Sequence, residues 1–269
     1  MSMRRFIISF ISLVSLLQIT ASAGIAKIQL ISHDELELDA DDILHLPGIG
    51  LGLRCGSDSI MLLDDPQLTG LTFSEPTNAR SIVAVRSGIY AADGDSIFRI
   101  ATDESKHEYI GRMDNEAFRL SQATDSTFYA CTADEEFSCV YEIFPEDKTC
   151  EPIISIEAPI LKIESNGTNT MMWVDDTILR LHDEGFVENI YQADNITGMA
   201  LTPIGVMVGT TDGVYWLTGS DNGAKIIKEP VKGLWWDNSD ALYYLTDTGD
   251  LIVAVGIRDA YYGYTTKSE

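Results

Sequence analysis

GVMVGTTDGVYWL, residues Gly205–Leu217, reads as two short apolar strands folded about a tight Asp212-Gly213 turn. Glycine supplies the positive φ that such a turn requires, and the flanking alternation of Val, Met, Tyr and Trp suits a buried hairpin. Working outward, the same pattern recurs at Gly52–Leu63, Ile89–Ile100, Phe128–Ile143, Thr170–Leu181 and Ala241–Val255. The first apolar residue after each turn gives the period: Ile60, Ile97, Val140, Ile178, Val214 and Leu251, in steps of 37, 43, 38, 36 and 37 residues. A repeat of about 40 residues built of strands throughout predicts a β-propeller with one four-stranded blade per repeat. The expected fold is therefore all-β, a six-bladed propeller of antiparallel blades.

Each blade divides into strands a to d, with a nearest the axis, b and c forming the hairpin, and d at the outer edge. In the fifth blade these are Ile196–Thr202, Gly205–Thr210, Val214–Thr218 and Ala224–Lys228. Strand a of the other blades falls near Asp42–Leu46, Ser81–Val85, Ala117–Ser121, Ile160–Glu164 and Val231–Trp236. The unbroken apolar run SIVAV at Ser81–Val85 fits a strand covered on both faces. The sixth blade runs out after strand c, and Ile25–Ile31 supplies the missing outer strand, closing the ring by pairing the two chain ends. The competing closure uses Tyr261–Thr265, which carries Gly263 and little apolar pattern.

Residues 1–23 have the form of a secretory signal peptide: basic Arg4 and Arg5, a mostly apolar stretch from Phe6 to Leu17, and Ala21-Ser22-Ala23 before the expected cut. Residues 24–269 then form one propeller domain of 246 residues, 41 per blade, secreted or periplasmic, with no integral membrane segment after cleavage. Removing the leader takes away two arginines and no acid, so the formal charge moves from −24 to −26. Such a surface disfavours nucleic acid and anionic lipid and favours cationic partners. Of the four cysteines, Cys131 and Cys139 stand at mirror positions about Glu135, which suggests a cross-strand disulfide; Cys139–Cys150 across the next turn is the alternative.

The Gly205–Leu217 hairpin resembles the propeller repeat of periplasmic sensor regions in hybrid two-component regulators, whose pattern is Gly-Leu-Trp-Ile-Gly-Thr-x-x-Gly-Leu-x-x-Leu. Ala241–Val253 and Gly88–Ile100 match it in shape but lack the Gly-Thr pair. The resemblance implies the fold.

In a propeller the d–a and b–c loops share one face, and here they are acidic. The d–a connections carry Glu75 with Asn78, Asp114 with Asn115, Glu157, Asp194 with Asn195, and Glu229. Trp235 and His45, each on a strand a, complete the expected ligand-binding face. Of the adjacent Trp235 and Trp236, one packs between blades and the other faces the channel, because consecutive strand residues point oppositely. Carboxylates with amides are what a hard cation needs, and Glu75, Asp114, Asn115, Asp194 and Asn195 are candidate Ca²⁺ ligands. Six-bladed propellers of the calcium-dependent lactonase class place a metal at this mouth. The same residues are also ordinary turn formers. No linear catalytic motif is present: His33, His45, His107 and His182 are scattered, and neither Gly-x-Ser-x-Gly nor His-Glu-x-x-His occurs. The expected function is non-catalytic binding of a protein, or of a small cationic or carbohydrate ligand, through this acidic mouth. The alternatives are a calcium-dependent hydrolase or lyase on the same face, and a structural subunit of an envelope complex.

Overall fold

A computed structural model describes residues 25–31, 42–46, 50–55, 59–62, 70–72, 81–100, 107–133, 137–182, 185–218, 223–237 and 240–258. Among the described residues β1 (Ala26–Ile31) comes first, followed by five consecutive four-stranded sheets. The first holds β2 (Asp42–Leu46), β3 (Gly50–Cys55), β4 (Ser59–Leu62) and β5 (Gly70–Thr72); the second β6 (Ser81–Val85), β7 (Gly88–Asp93), β8 (Ser96–Arg99) and β9 (Glu108–Arg112). The third holds β10 (Ala117–Gln122), β11 (Phe128–Ala133), β12 (Ser138–Phe144) and β13 (Thr149–Ile156). The fourth holds β14 (Ile160–Ser165), β15 (Thr170–Val174), β16 (Thr177–Leu181) and β17 (Val187–Gln192). The fifth holds β18 (Ile196–Thr202), β19 (Gly205–Thr210), β20 (Gly213–Leu217) and β21 (Ala224–Ile227). The sixth contains β22 (Val231–Asp237), β23 (Ala241–Thr246), β24 (Leu251–Val255) and, on its outer side, β1. Every pairing is antiparallel, and the six sheets are the expected blades.

The first strands touch in sequence, β2 with β6, then β10, β14, β18 and β22, and β22 touches β2. No sheet closes on itself among the described residues; instead β1 joins the sixth blade beside β24, where Ala26 pairs with Val255 and Ile31 with Leu251. This is the N-terminal completion that the apolar run Ile25–Ile31 suggests. The rival strand, Tyr261–Thr265, lies outside the described residues. No helix among the described residues is long and apolar enough to cross a membrane.

The core lies between blades, where facing sheets interdigitate. Between the second and third, Val83, Tyr90, Ile97 and Ile110 meet Leu120, Phe128, Tyr141 and Ile143. Between the fifth and sixth, Met207, Val214 and Trp216 meet Leu234, Trp236, Leu242 and Tyr244. All five residues of β6 are buried, which is why its sequence does not alternate. The diagnostic turn behaves as its sequence requires: Gly213 has φ of 151°, and a Cβ there would sit 2.1 Å from the Ile227 carbonyl oxygen.

The cysteine expectation fails on register. β11 and β12 pair Thr132 with Cys139 and Cys131 with Val140, so the hairpin is centred between Glu135 and Glu136 rather than on Glu135. A one-residue offset puts the two side chains on opposite faces of the sheet. Cys131 is fully buried against the fourth blade, whereas Cys139 packs toward the second-blade side. Cys139 pairs with Ser155 and Cys150 with Ile143, which separates the alternative couple by four residues along β12, about 13 Å. Cys131, Cys139 and Cys150 are all free thiols. Burial pushes the Cys131 thiol up to about 12, against the weaker opposing pull of Arg119. Iodoacetamide at pH 8 is therefore expected to modify Cys131 only after denaturation, with Cys139 modified first; peptide mass spectrometry reads the order, and native labelling of Cys131 contradicts it.

Candidate functional site

The inner strand of each blade is an edge strand, and its outward backbone groups need partners. The register between strands identifies equivalent positions around the axis. The residue facing the b-strand partner of the first post-turn residue is Asp42, Ser81, Arg119, Lys162, Gly198 and Gly233 in blades one to six. These six form one ring level. At the last two positions glycine lets the strands approach: a Cβ on Gly198 would lie 3.6 Å from the Gly233 Cα.

Lys162 occupies the space beside those glycines. Its Nζ donates to the Met199 carbonyl at 2.9 Å and the Leu234 carbonyl at 3.3 Å, and pairs with Glu164 Oε1 at 2.8 Å. Its three protons thus tie the fourth blade to the inner edges of the fifth and sixth. The second Glu164 oxygen accepts the Leu201 N–H at 2.6 Å. Ser81 plays a similar part earlier in the ring, its Oγ accepting the Leu120 N–H at 2.8 Å. With the lysine side chain 11% and the glutamate 21% exposed, this is a largely buried ion pair.

Above this level a cavity of about 830 Å³ takes residues from all six blades. Ile43, Ile82, Val83 and Ala84 form an apolar wall from blades one and two. Facing it are Arg119, Ser121 and Gln122 on β10, then Lys162, Glu164 and Ser165 on β14. Trp235, Trp236 and Asp237 come from β22. The rim is made of a–b connections: Thr124, Asp125 and Ser126, then Asn166, Gly167 and Thr168, then Pro203. Rim loops are stitched to their neighbours before any ligand arrives. The Arg86 N–H donates to the Asp125 carbonyl at 2.7 Å, and Asn166 Nδ2 to the Thr202 carbonyl at 3.2 Å. Asn166 Oδ1 in turn accepts the N–H groups of Thr168 and Asn169.

The carboxylates and amides singled out in the sequence stand before the first strands, at the end opposite these a–b loops. Asp114 accepts from the Tyr141 hydroxyl at 3.2 Å, and Asn195 donates to Thr211 Oγ1 at 3.2 Å, each within its own blade. Glu229 takes Lys27 at 2.7 Å and the Tyr244 hydroxyl. Glu157 and Asp194 are exposed, and Asn115 is half-buried. Glu75 and Asn78 lie outside the described residues, and His45 is placed only as a backbone position on β2. Among the described residues no three His, Cys, Asp or Glu side chains gather as a metal-holding group. Of the described candidates, Trp235 alone lines the cavity; Trp236 packs chiefly between blades, its ring 5.9 Å from that of Trp216. Arg119, Lys162 and Glu164 escaped the sequence reading. Their signal was a charge inside an inner strand, at positions where, Asp42 of the first blade aside, other blades carry glycine, serine or an apolar residue.

No family model matches this chain, and no curated protein sequence matches it. Solved structures do. Regucalcin, a calcium-binding protein from Agrobacterium tumefaciens, is 12% identical with a TM-score of 0.65, over 87% of this chain and 94% of that one. A proposed gluconolactonase is 12% identical with a TM-score of 0.56, over 87% and 93%. The extracellular domain of the hybrid two component system BT4673 from B. thetaiotaomicron is 12% identical with a TM-score of 0.57, over 84% of this chain. This chain spans about a third of that structure, 34%. At such identities the likeness is one of fold: the protein is a β-propeller resembling those sensor regions.

Proposed function

We propose that this chain is an exported, single-domain propeller that binds a ligand in its central cavity without transforming it. The observation that carries the reading is the cavity itself: about 830 Å³, contributed to by six blades, with a rim cross-linked between loops. That size suits a small-molecule or short-chain ligand, and a pre-formed mouth lowers the ordering cost of binding. The non-catalytic half rests on Lys162 and Glu164. Lys162 commits all three ammonium protons to the protein, and each Glu164 oxygen already accepts one protein donor, which supports structural roles for both side chains. Export rests on the leader-like residues 1–23. The acidic d–a mouth adds to a field that draws cationic species toward the protein.

A thermal-shift screen of the mature protein against sugars, amino acids, peptides and nucleosides tests this reading. Compounds that raise Tm should also perturb tryptophan fluorescence, and Trp235→Ala should weaken them about tenfold or more, as loss of a central aromatic contact does. They should be recovered chemically unchanged. Stabilising compounds indifferent to Trp235→Ala would move the site elsewhere, and recovery of an altered compound would overturn the non-catalytic half.

A further inference from the structure

The fourth-blade rim loop carries chemistry of its own, whatever the cavity holds. β14 and β15 are joined by Asn166-Gly167-Thr168-Asn169, and the Asn166 N–H donates to the Asn169 carbonyl at 3.2 Å, which folds the loop tightly. Asn166, Gly167 and Thr168 are exposed. The amide carbon of an asparagine is open to attack by the next backbone nitrogen when glycine follows, because no side chain stands in the way. Gly167 sits at φ of 80°, and even a Cβ built on it would meet nothing within 4 Å. Asn169 precedes β-branched Thr170, and Asn189 and Asn195 precede isoleucines, so the same approach is crowded there. The chain's other Asn-Gly pair, Asn222-Gly223, has its asparagine outside the described residues.

Around Asn166 the loop is already arranged for the charge that such an attack creates. Its Oδ1 accepts the Thr168 N–H at 3.1 Å and the Asn169 N–H at 2.9 Å. Two backbone donors on the oxygen that turns anionic lower the barrier to a tetrahedral intermediate. The Gly167 N–H donates to Ser165 Oγ at 3.3 Å. We propose that Asn166-Gly167 is a self-modifying site, at which the loop itself promotes closure to a cyclic imide. The Gly167 nitrogen bonds to Asn166 Cγ while its proton passes through water to Nδ2; the Cγ–Nδ2 bond breaks, and ammonia leaves. Water then opens the ring, at Cγ to give aspartate or at the main-chain carbonyl to give an isoaspartyl linkage. Nothing is oxidised or reduced. Before the reaction Nδ2 donates to the Thr202 carbonyl at 3.2 Å, joining the rims of blades four and five. Hydrolysis replaces that donor with a carboxylate oxygen facing a carbonyl, so the modification opens this stitch at the cavity mouth.

The test incubates the mature protein at pH 8 in ¹⁸O-labelled water, beside a capped synthetic peptide of residues 164–170, and follows both by peptide mass spectrometry. In the folded protein position 166 should convert to labelled aspartate and isoaspartate at least threefold faster than in the peptide. Asn166→Gln, whose longer side chain cannot close the five-membered ring, should show no label there. Asn166→Asp installs the product directly and should lower Tm by about 2–4 °C, the scale of one lost hydrogen bond in a domain of this size. A folded rate equal to or below that of the peptide overturns the proposal, because the loop would then shield the amide. Label at position 166 in Asn166→Gln overturns it as well, since incorporation would not need the cyclic imide. An Asn166→Asp protein that melts with wild type overturns the opening of the stitch.

Discussion

Lys162→Ala is expected to lower the melting temperature of the mature protein by roughly 10 °C, which for a domain of this size corresponds to about 3–5 kcal/mol. The substitution removes one partner from a buried pair and strands three groups together. The Met199 and Leu234 carbonyls lose their donor, and the Glu164 carboxylate keeps its charge in a site only 21% exposed. Each buried group left without a partner costs on the order of 1–3 kcal/mol, more when charged. Net attraction within the pair is not what is lost, so removing the charge from both sides should be milder. Lys162→Met with Glu164→Gln keeps an acceptor for the Leu201 N–H and abolishes the stranded carboxylate. It should recover about half of the loss in denaturant titration. A Lys162→Ala protein within about 1 kcal/mol of wild type would mean that water solvates the axis and that blades four to six are not pinned by this side chain.

The sequence made the fold legible because propeller turns are local: Asp212-Gly213 and its five counterparts mark hairpins whatever surrounds them. Strand bounds followed, β18 and β19 falling at Ile196–Thr202 and Gly205–Thr210 as expected. Pairing register was harder. Whether the third hairpin is centred on Glu135 or half a residue later cannot be weighed from spacing, yet that half residue decides whether Cys131 and Cys139 meet. The cavity was less legible still. Acidic turns point to the d–a mouth, where the described side chains are spent on their own blades or exposed, while the cavity described above opens through plain-looking a–b loops. Its charged floor is invisible pairwise, because Lys162 acts through backbone carbonyls 37 and 72 residues away. Aligning inner strands blade by blade does expose it, since Arg119 and Lys162 then fall level with Ser81, Gly198 and Gly233.

Deleting residues 24–31 should do more damage than any single substitution: loss of the cooperative unfolding transition and a shift to aggregate on size exclusion. β1 is the outer strand of the last blade and pairs with β24 from Ala26–Val255 to Ile31–Leu251. Without it, β24 becomes an exposed edge carrying the buried Leu251, Val253 and Ala254, the form of strand that recruits other chains. Ile25 also leaves the core between the fifth and sixth blades. The junction is fastened by Glu229, which Lys27 and Tyr244 both reach. Partial burial pushes the Glu229 carboxyl up, but the bonds from Lys27 and Tyr244 outweigh it and hold it below its ordinary value of 4.5. A carboxylate held down on folding adds stability that is complete above the unfolded value and disappears as pH falls through the lower folded one. Acidification below about pH 4.5 should therefore loosen the junction in wild type and less so in Glu229→Gln, a modest effect because the pair is partly exposed. The deletion itself separates a missing strand from a general folding defect. A synthetic peptide of residues 24–31, added during refolding, should restore the cooperative transition by re-forming the same strand pairing. A truncated protein that melts cooperatively near the wild-type temperature, with or without peptide, would show that the last blade stands on three strands and that the β1–β24 pairing is not what holds it.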